Sequence, residues 1–480
     1  MNAVTKSQAL LVSAHAARLA ISIVIASLLG RNLSAADFGF VALLSILFVV
    51  AVEILDMGTT VAATREIAAH PERERETLAA LMGLRRLVAA AVAASILLLA
   101  CSEYVDRNEQ RLVLAAAALG VFLLHLHSYQ LVFQLRQSYR PVTTLALASQ
   151  LGFLAACAAA LALQAAGAVI ALLVVARESI QAFATRALGV RILGSRLRAR
   201  LDDPGIAPLF RAGWMIGVAG LAYKLCANAP SFILWEAATP EALASFNAAQ
   251  RLLAPLGDAA WLFATPLIAA MSRSAAHDAP AVGIQLDGYL KLLMGMSAVV
   301  AVAGYFVAPF VLRLLYGELY ATGPLSSVAS FRWLALGYLF AVVSPVLVVG
   351  EMVRGHARAL LFAALACLAV NLGANALAIP RHGAQGAAMV FAGTETIFFA
   401  VLVARGVARG DVRLATMWPL YLVPALLLAA LLWLLEGRPA WQLALACAWG
   451  PASLWGMMRL PAQRAARASL APTSVPRSAG

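Results

Sequence analysis

The chain has 480 residues, of which 62% are hydrophobic and 12% charged, with a mean hydropathy of +0.85. A soluble domain carries about twice that share of charge to cover its surface, so a soluble enzyme is excluded. The formal net charge of +13 rests on arginine, since lysine occurs only as Lys6, Lys224 and Lys291; in so apolar a chain it must first be tested against membrane topology before nucleic acid is considered.

Apolar runs of about 20 residues recur from end to end, each long enough to cross roughly 30 Å of hydrocarbon as a helix. In chain order they fall near residues 8–30, 38–57, 80–101, 111–134, 142–165 and 167–188. After an arginine-rich stretch come 209–234, 242–271, 287–313, 326–350, 357–380 and 384–405, then 415–435 and 440–459. The expectation is an all-α integral membrane protein of about 14 transmembrane helices. Residues 1–188 would form one six-helix lobe and 209–405 a second, followed by a helix pair within 406–459 and a disordered, basic cytoplasmic tail over 460–480. Only Lys6 precedes the first run and no small-residue cleavage site follows it, so that helix is expected to be retained.

Between the lobes, residues 189–208 carry Arg191, Arg196, Arg198 and Arg200, with Val190, Leu193, Leu197 and Leu201 at helical spacing. This pattern predicts a cytoplasmic amphipathic linker lying on anionic lipid and ended by Asp202, Asp203, Pro204 and Gly205. Two pieces of spacing support a repeat. Leu33 to Phe40 (LSAADFGF) and Ala238 to Phe246 (ATPEALASF) each precede the second helix of a half, and Phe246 follows Phe40 by 206 positions, as Lys224 follows Arg18. Paired six-helix repeats are a transporter plan.

Basic loops stay cytoplasmic. With the N-terminus inside, most Lys and Arg lie in inside loops or tails, Arg65, Arg73, Arg75, Arg136, Arg140, Arg405, Arg409 and Arg413 among them, and only Arg31, Arg107, Arg111, Arg313, Arg381 and Arg438 lie outside. Both termini are therefore expected in the cytoplasm of a multi-pass protein of a bacterial inner membrane, with the bilayer and no nucleic acid as its environment.

Five cations, Arg18, Arg177, Lys224, Arg251 and Arg332, fall within helices, where each would cost roughly 2.5–3.5 kcal/mol facing lipid at the bilayer centre. Lys224, Asn228 and Ser231 form one polar stripe, and Asn247, Arg251, Asp258 and Thr265 another. Acidic residues at depth are fewer: Glu178, Asp258 and Glu395, with Glu53 and Asp56 near the end of the second run. The expectation is a water-filled cationic cavity lined by Arg18, Arg177, Lys224, Arg251, Arg332, Asn228 and Asn247, suited to a ligand of concentrated negative charge. Asp258, Glu395 and Glu178 are candidates for coupling to H+ or Na+. No cofactor and no metal is expected: there is no Walker loop and no HExxH, and Cys101, Cys157, Cys226, Cys367 and Cys447 fall singly. His125 and His127 point to different helix faces, so a chelating pair is not expected. Gly213 and Gly217 form a small-xxx-small face for close helix packing, with a flexible gate as the alternative.

Gly30, Arg31, Leu33, Ala36, Asp37, Phe38 and Gly39, then Asp56, Gly58, Thr64, Arg65 and Glu66, resemble the opening of bacterial polysaccharide-repeat-unit (Wzx-like) flippases, with their LG-x-x-DFG and D-x-G-x-x-x-x-x-TRE patterns. Later residues match the same family: Asn247, Ala249, Arg251 and Leu252; Pro266, Leu267, Ser272 and Arg273; Leu315, Tyr316, Gly317 and Tyr320; Asn371, Leu372, Ile379, Pro380, Gly383, Gly386 and Ala387. These motifs span nearly the whole chain and specify the multidrug/oligosaccharidyl-lipid/polysaccharide exporter superfamily better than any one substrate.

The resemblance implies a two-lobed transporter, not an enzyme, that flips an undecaprenyl-diphosphate-linked glycan such as an O-antigen or exopolysaccharide unit by alternating access, alongside polymerase and chain-length machinery. A lipid II flippase has the same physics. A drug exporter of the same superfamily would need acidic sites for organic cations, and a membrane glycosyl polymerase or ligase would need a long periplasmic loop, whereas every outside loop here is short. Reporter fusions after Arg200, after Arg409 and beyond Arg464 should report cytoplasm, and those after Glu236 and Arg438 periplasm; one reversal overturns the helix assignment.

Overall fold

A computed structural model describes residues 3–103, 107–136, 138–198, 204–277, 279–412 and 418–435, together with residues 438, 441–442, 444–445 and 448–449. No strand occurs among the described residues. The first six expected runs appear as α1 (Ala3–Asn32), α2 (Ala35–Asp56), α4 (Glu74–Cys101), the pair α5 (Asn108–Leu123) and α6 (Gln130–Leu135), α7 (Tyr139–Ala162) and α8 (Gly167–Leu193). The next are α9 (Ile206–Ala237), α10 (Pro240–His277), α11 (Ala279–Tyr316), the pair α13 (Val328–Ala341) and α14 (Ser344–Val353), α15 (Ala357–Ala408) and α16 (Trp418–Leu434). Two short helices, α3 (Thr59–Ala69) and α12 (Glu318–Ala321), fall where loops were expected. Nine segments among the described residues are long and apolar enough to cross a membrane. The expected run 440–459 and the tail 460–480 lie largely outside the described residues.

Local chemistry explains several boundaries. Ser34 caps α2: its hydroxyl accepts from the Asp37 N–H at 3.1 Å and donates to the Asp37 carboxylate at 2.7 Å, which accounts for the polar pair ahead of the Phe38–Gly39 step. The 52-residue α15 is two helices joined at Gly383, whose φ of 51° and ψ of −131° are non-helical, so the expected separation of 357–380 from 384–405 holds. Between α5 and α6 the chain tightens into a 3₁₀ segment, Leu124–Tyr129, which carries His125 and His127.

The chain divides into two compact units. The first takes the described residues within 1–252, 313–327 and 361–387, and the second those within 253–312, 328–360 and 388–449. In the first, Ala62, Ala63, Ile67, Leu78, Leu81, Tyr129, Leu131, Leu193 and Leu209 share one buried cluster. The apolar residues of the linker's first half pack against this cluster, while Arg191, Arg196 and Arg198 are exposed. Residues 189–193 extend α8, Gly194 ends it in the left-handed region at φ 72°, and Val190 and Leu197 pack with Leu193 against the protein. Arg75 donates to the Leu193 carbonyl at 2.8 Å, and the Tyr129 hydroxyl accepts from Leu197 N–H at 3.0 Å, so the apolar stripe read as membrane-facing is spent inside the unit. The rest of the expected helix, including Arg200, Leu201, Asp202 and Asp203, lies outside the described residues.

Met57 and Gly58 turn the chain between α2 and α3 with φ of 41° and 72°. A Cβ on Gly58 would stand 2.3 Å from the Gly213 carbonyl oxygen, and one on Gly217 1.9 Å from the Met57 carbonyl carbon. The small-xxx-small face of α9 is thus a bed for this turn, which is the packing role. Gly217→Val forces these backbones apart and should cost at least about 1–3 kcal/mol, the range for overpacking, read as a lower melting temperature of the purified protein. The same substitution at Gly220, where a Cβ meets nothing, should leave melting nearly unchanged.

Candidate anion-binding site

A proline within a helix cannot donate to the carbonyl four residues back, and in hydrocarbon that carbonyl needs another donor. Pro230 in α9 releases the Cys226 carbonyl, and Asn371 Nδ2 of α15 donates to it at 3.2 Å. Asn375, also fully buried, donates to the Asn371 carbonyl and side-chain oxygens at 2.9 Å. Pro309 in α11 releases the Tyr305 carbonyl, and Arg332 Nε donates to it at 3.1 Å while its guanidinium lies 4.6 Å from the Tyr305 ring centre. Arg332 is therefore engaged in repairing a helix.

The polar stripes of α9 and α10 meet. Ser231 donates to Asn247 Oδ1 at 3.3 Å, Asn247 donates to the Leu243 carbonyl at 3.0 Å, and Asn228 donates back to the Lys224 carbonyl at 2.8 Å. One turn beyond Asn247, Arg251 reaches α2. Its guanidinium lies 5.5 Å from the Phe38 ring centre and donates to Ser45 Oγ at 3.4 Å, with no carboxylate partner among the described residues. Phe38 is one wall of an aromatic cluster with Tyr316 and Tyr320, each centred 6.1 Å from it. The buried Tyr316 hydroxyl has no hydrogen-bond partner among the described residues and lies within electrostatic reach of Arg251. Ser45 gives its own proton to the Val41 carbonyl at 2.8 Å and so only accepts from Arg251, which leaves the guanidinium and the Tyr316 phenol as the donors an anion could meet.

The family motifs position this cluster. Arg31 donates to the Leu314 and Leu315 carbonyls and Ser27 to that of Leu315, closing the C-terminal end of α11 so that Tyr316 is presented beside Gly30 and Phe38.

Of the remaining sequence-derived candidates, Arg177 lies within electrostatic reach of Arg251. Arg177 pairs with its neighbour Glu178 and lies over the Phe153 ring at 4.8 Å, so its charge is neutralised locally. Arg18 is exposed, Lys224 half-buried and Glu395 buried. Asp258 has a side chain outside the described residues.

Two ion networks escaped the sequence reading. Arg85 of α4 is buried and donates to Asp56 and, at 2.6 Å, to Thr60 Oγ1; Asp56 also accepts from Thr60 and from Gly58 N–H at 3.1 Å. The Asp56–Gly58 motif is thus the anchor of the α2–α3 turn. In the second unit the buried Glu351 carboxylate binds Arg409 and, at 3.2 Å, Arg405, with His356 at 3.4 Å, while Asp411 binds Arg354 and Arg409. The hydrogen bonds that Arg409 donates to the Glu351 carboxylate hold its guanidinium above its usual pKa. The long-range partners, Arg85 with Asp56 and Glu351 with Arg405 and Arg409, were hidden by distance in sequence, whereas Asp287 and Lys291, an i,i+4 pair in α11, could have been read directly.

The family profile described as "Polysaccharide biosynthesis protein" matches residues 4–274. Among solved structures, the lipid II flippase MurJ in an inward closed conformation aligns with a TM-score of 0.73 at 11% identity, over 92% of this chain and 96% of that one. An inward-facing multidrug resistance MATE family transporter of the MOP superfamily aligns at 0.60 and 12% identity, over 82% and 94%. The Vibrio cholerae MATE transporter VcmN aligns at 0.52 and 15% identity, over 84% and 95%. These show a shared transporter fold. No curated protein sequence matches.

Because Arg85 is buried against one carboxylate, Asp56→Ala should cost about 3–5 kcal/mol by leaving an uncompensated charge in the interior. Arg85→Met in the same chain should recover most of it. Thermal unfolding in detergent checks both, and an unchanged melting temperature in the single variant refutes the anchoring role.

Proposed function

The chain belongs to the polysaccharide biosynthesis protein family, and from that premise we propose that it is a flippase carrying undecaprenyl-diphosphate-linked polysaccharide repeat units from the cytoplasmic to the periplasmic leaflet by alternating access. The observation that carries this reading is Arg251: a guanidinium on α10, held by an aromatic ring and one hydroxyl, with its fork free of carboxylates among the described residues. Such a group costs free energy unless an anion completes it. A diphosphate supplies oxygens that a guanidinium binds bidentately and that the Tyr316 hydroxyl can also meet, while sugars stay in water and the prenyl tail in lipid.

Lys224 and Arg18 are the further cations of the proposed site, with Asn228 and Asn247 as neutral donors; Arg177 contributes field rather than contact, because Glu178 engages its donors, and Arg332 is left out of it. Glu395, Glu178 and Asp258 are the acidic groups on which H+ or Na+ would act. Cytoplasmic termini, an inner-membrane location and cooperation with a polymerase and chain-length machinery complete the proposal. The likeness to MurJ favours lipid II as the second reading, since both substrates share the polyprenyl diphosphate.

In a strain dependent on this protein, Arg251→Ala at normal abundance should trap lipid-linked units on the cytoplasmic leaflet, and Arg251→Lys should restore transport only in part, because an ammonium lacks the fork. Lys224→Arg should stay active. Full transport by a chain carrying both Arg251→Ala and Lys224→Ala sinks the anion-site reading. Leaflet assays with repeat units and lipid II as competing cargoes choose between the two substrates.

A further inference from the structure

In the first unit, α2, α4, α5 and α9 enclose a cavity of about 280 Å³ lined by Phe40, Leu43, Leu44, Leu47, Leu99 and Leu114, with Phe232, Trp235 and Glu236 at its remaining wall. Its lining is almost wholly apolar. Apolar cavities of this kind stay dry and take up hydrocarbon, as about 150 Å³ suffices for a benzene ring. The lining residues come from the start of α2, the end of α4, the start of α5 and the end of α9, so the cavity opens at one end of these helices. Along α2 it runs from Phe40 to Leu47, about 10 Å at 1.5 Å per residue, which is the inward course of a chain entering from the interface. Leu99, exposed on α4, gives it a lateral edge toward lipid.

The polar groups at the mouth identify the occupant. Glu236 is exposed and meets no cation among the described residues. Trp235 lies against Phe40 at 5.6 Å between ring centres, an amphipathic ring near the end of α9 of the kind enriched at membrane–water interfaces. Arg111 stands one helical turn outward of Leu114 on the same face of α5 and donates to the Ser102 carbonyl at 3.3 Å. A negative and a positive group bracket the entrance to a hydrocarbon slot.

We infer that this cavity is a lipid-binding site for an amine-bearing zwitterionic phospholipid, phosphatidylethanolamine in chemical class, with one acyl chain in the slot, its ammonium at Glu236 and its phosphate toward Arg111. Phosphatidylglycerol has the same phosphate but a neutral glycerol in place of the ammonium, so it leaves Glu236 uncompensated and is disfavoured. The site is separate from Arg251 and does not depend on the cargo proposed above.

The test uses the full-length protein in vesicles of phosphatidylethanolamine and phosphatidylglycerol in equal parts, with a trace of one or the other carrying a diazirine on its acyl chain. After photolysis, peptides spanning Phe40–Leu47 and Phe232–Glu236 should be labelled from phosphatidylethanolamine roughly threefold to fivefold more than from phosphatidylglycerol, the size of an exposed charge contact. Glu236→Gln, at a surface position, should bring that ratio close to one without changing labelling of other helices. Leu47→Trp should reduce labelling of these peptides from either lipid by filling the slot. Equal labelling by the two lipids in the unaltered protein, or a ratio unmoved by Glu236→Gln, overturns the assignment. So does loss of the label on adding undecaprenyl diphosphate, which would make the slot a substrate-tail site.

Discussion

Hydrocarbon offers no hydrogen bonds, so each backbone carbonyl released inside a membrane helix must find a donor from the protein. That constraint decides what many polar side chains of this chain do. Asn371 serves the carbonyl freed by Pro230, Arg332 the one freed by Pro309, and Arg31 with Ser27 the open end of α11. Polar residues within apolar helices therefore divide into those that complete the backbone and those left over for a ligand, and the geometry separates the two where composition cannot.

Charge follows the same division. Arg85 is answered by Asp56, Arg177 by Glu178, Lys291 by Asp287, and Arg405 with Arg409 by Glu351. Each pair removes a cation from the pool that could hold a substrate, because a neutralised guanidinium with its N–H groups occupied attracts an incoming phosphate weakly. Arg251 stands apart in resting against a ring and a hydroxyl. A cation–π contact holds the group in place without consuming its fork, which is what a reversible anion site requires.

Much of the helical plan was legible, because apolar runs of membrane length and their Gly and Pro breaks are local signals. The Gly383 break and the start of α8 at Gly167 are examples. Features set by tertiary contact were not. The stripe Val190, Leu193 and Leu197 has the period of a membrane-surface helix, yet it packs on Leu78 and Tyr129, since periodicity reports an apolar face and not what covers it. Among site candidates, Arg251 and Asn247 were visible as one helical stripe, whereas the Tyr316 phenol beside them comes from 65 residues further along and could be reached only through the family motif. Arg332 shows the reverse: a mid-helix cation read as cavity lining, whose partner was the backbone of another helix.

The amide of Asn371 has a mechanical consequence. At Pro230 the ladder of α9 is interrupted, so the helix can flex there without breaking a main-chain bond of its own at that step. The freed carbonyl is tied to α15 by Asn371, while the neighbouring Ala227 carbonyl and Ser231 hydroxyl are bonded to Gln250 and Asn247 of α10. Side chains of two other helices thus stand in for the missing rung, and the stiffness of α9 at this point is set by them rather than by its own backbone. A substitution that only shortened or turned the Asn371 amide would alter how freely a membrane segment bends while leaving every substrate-facing group in place.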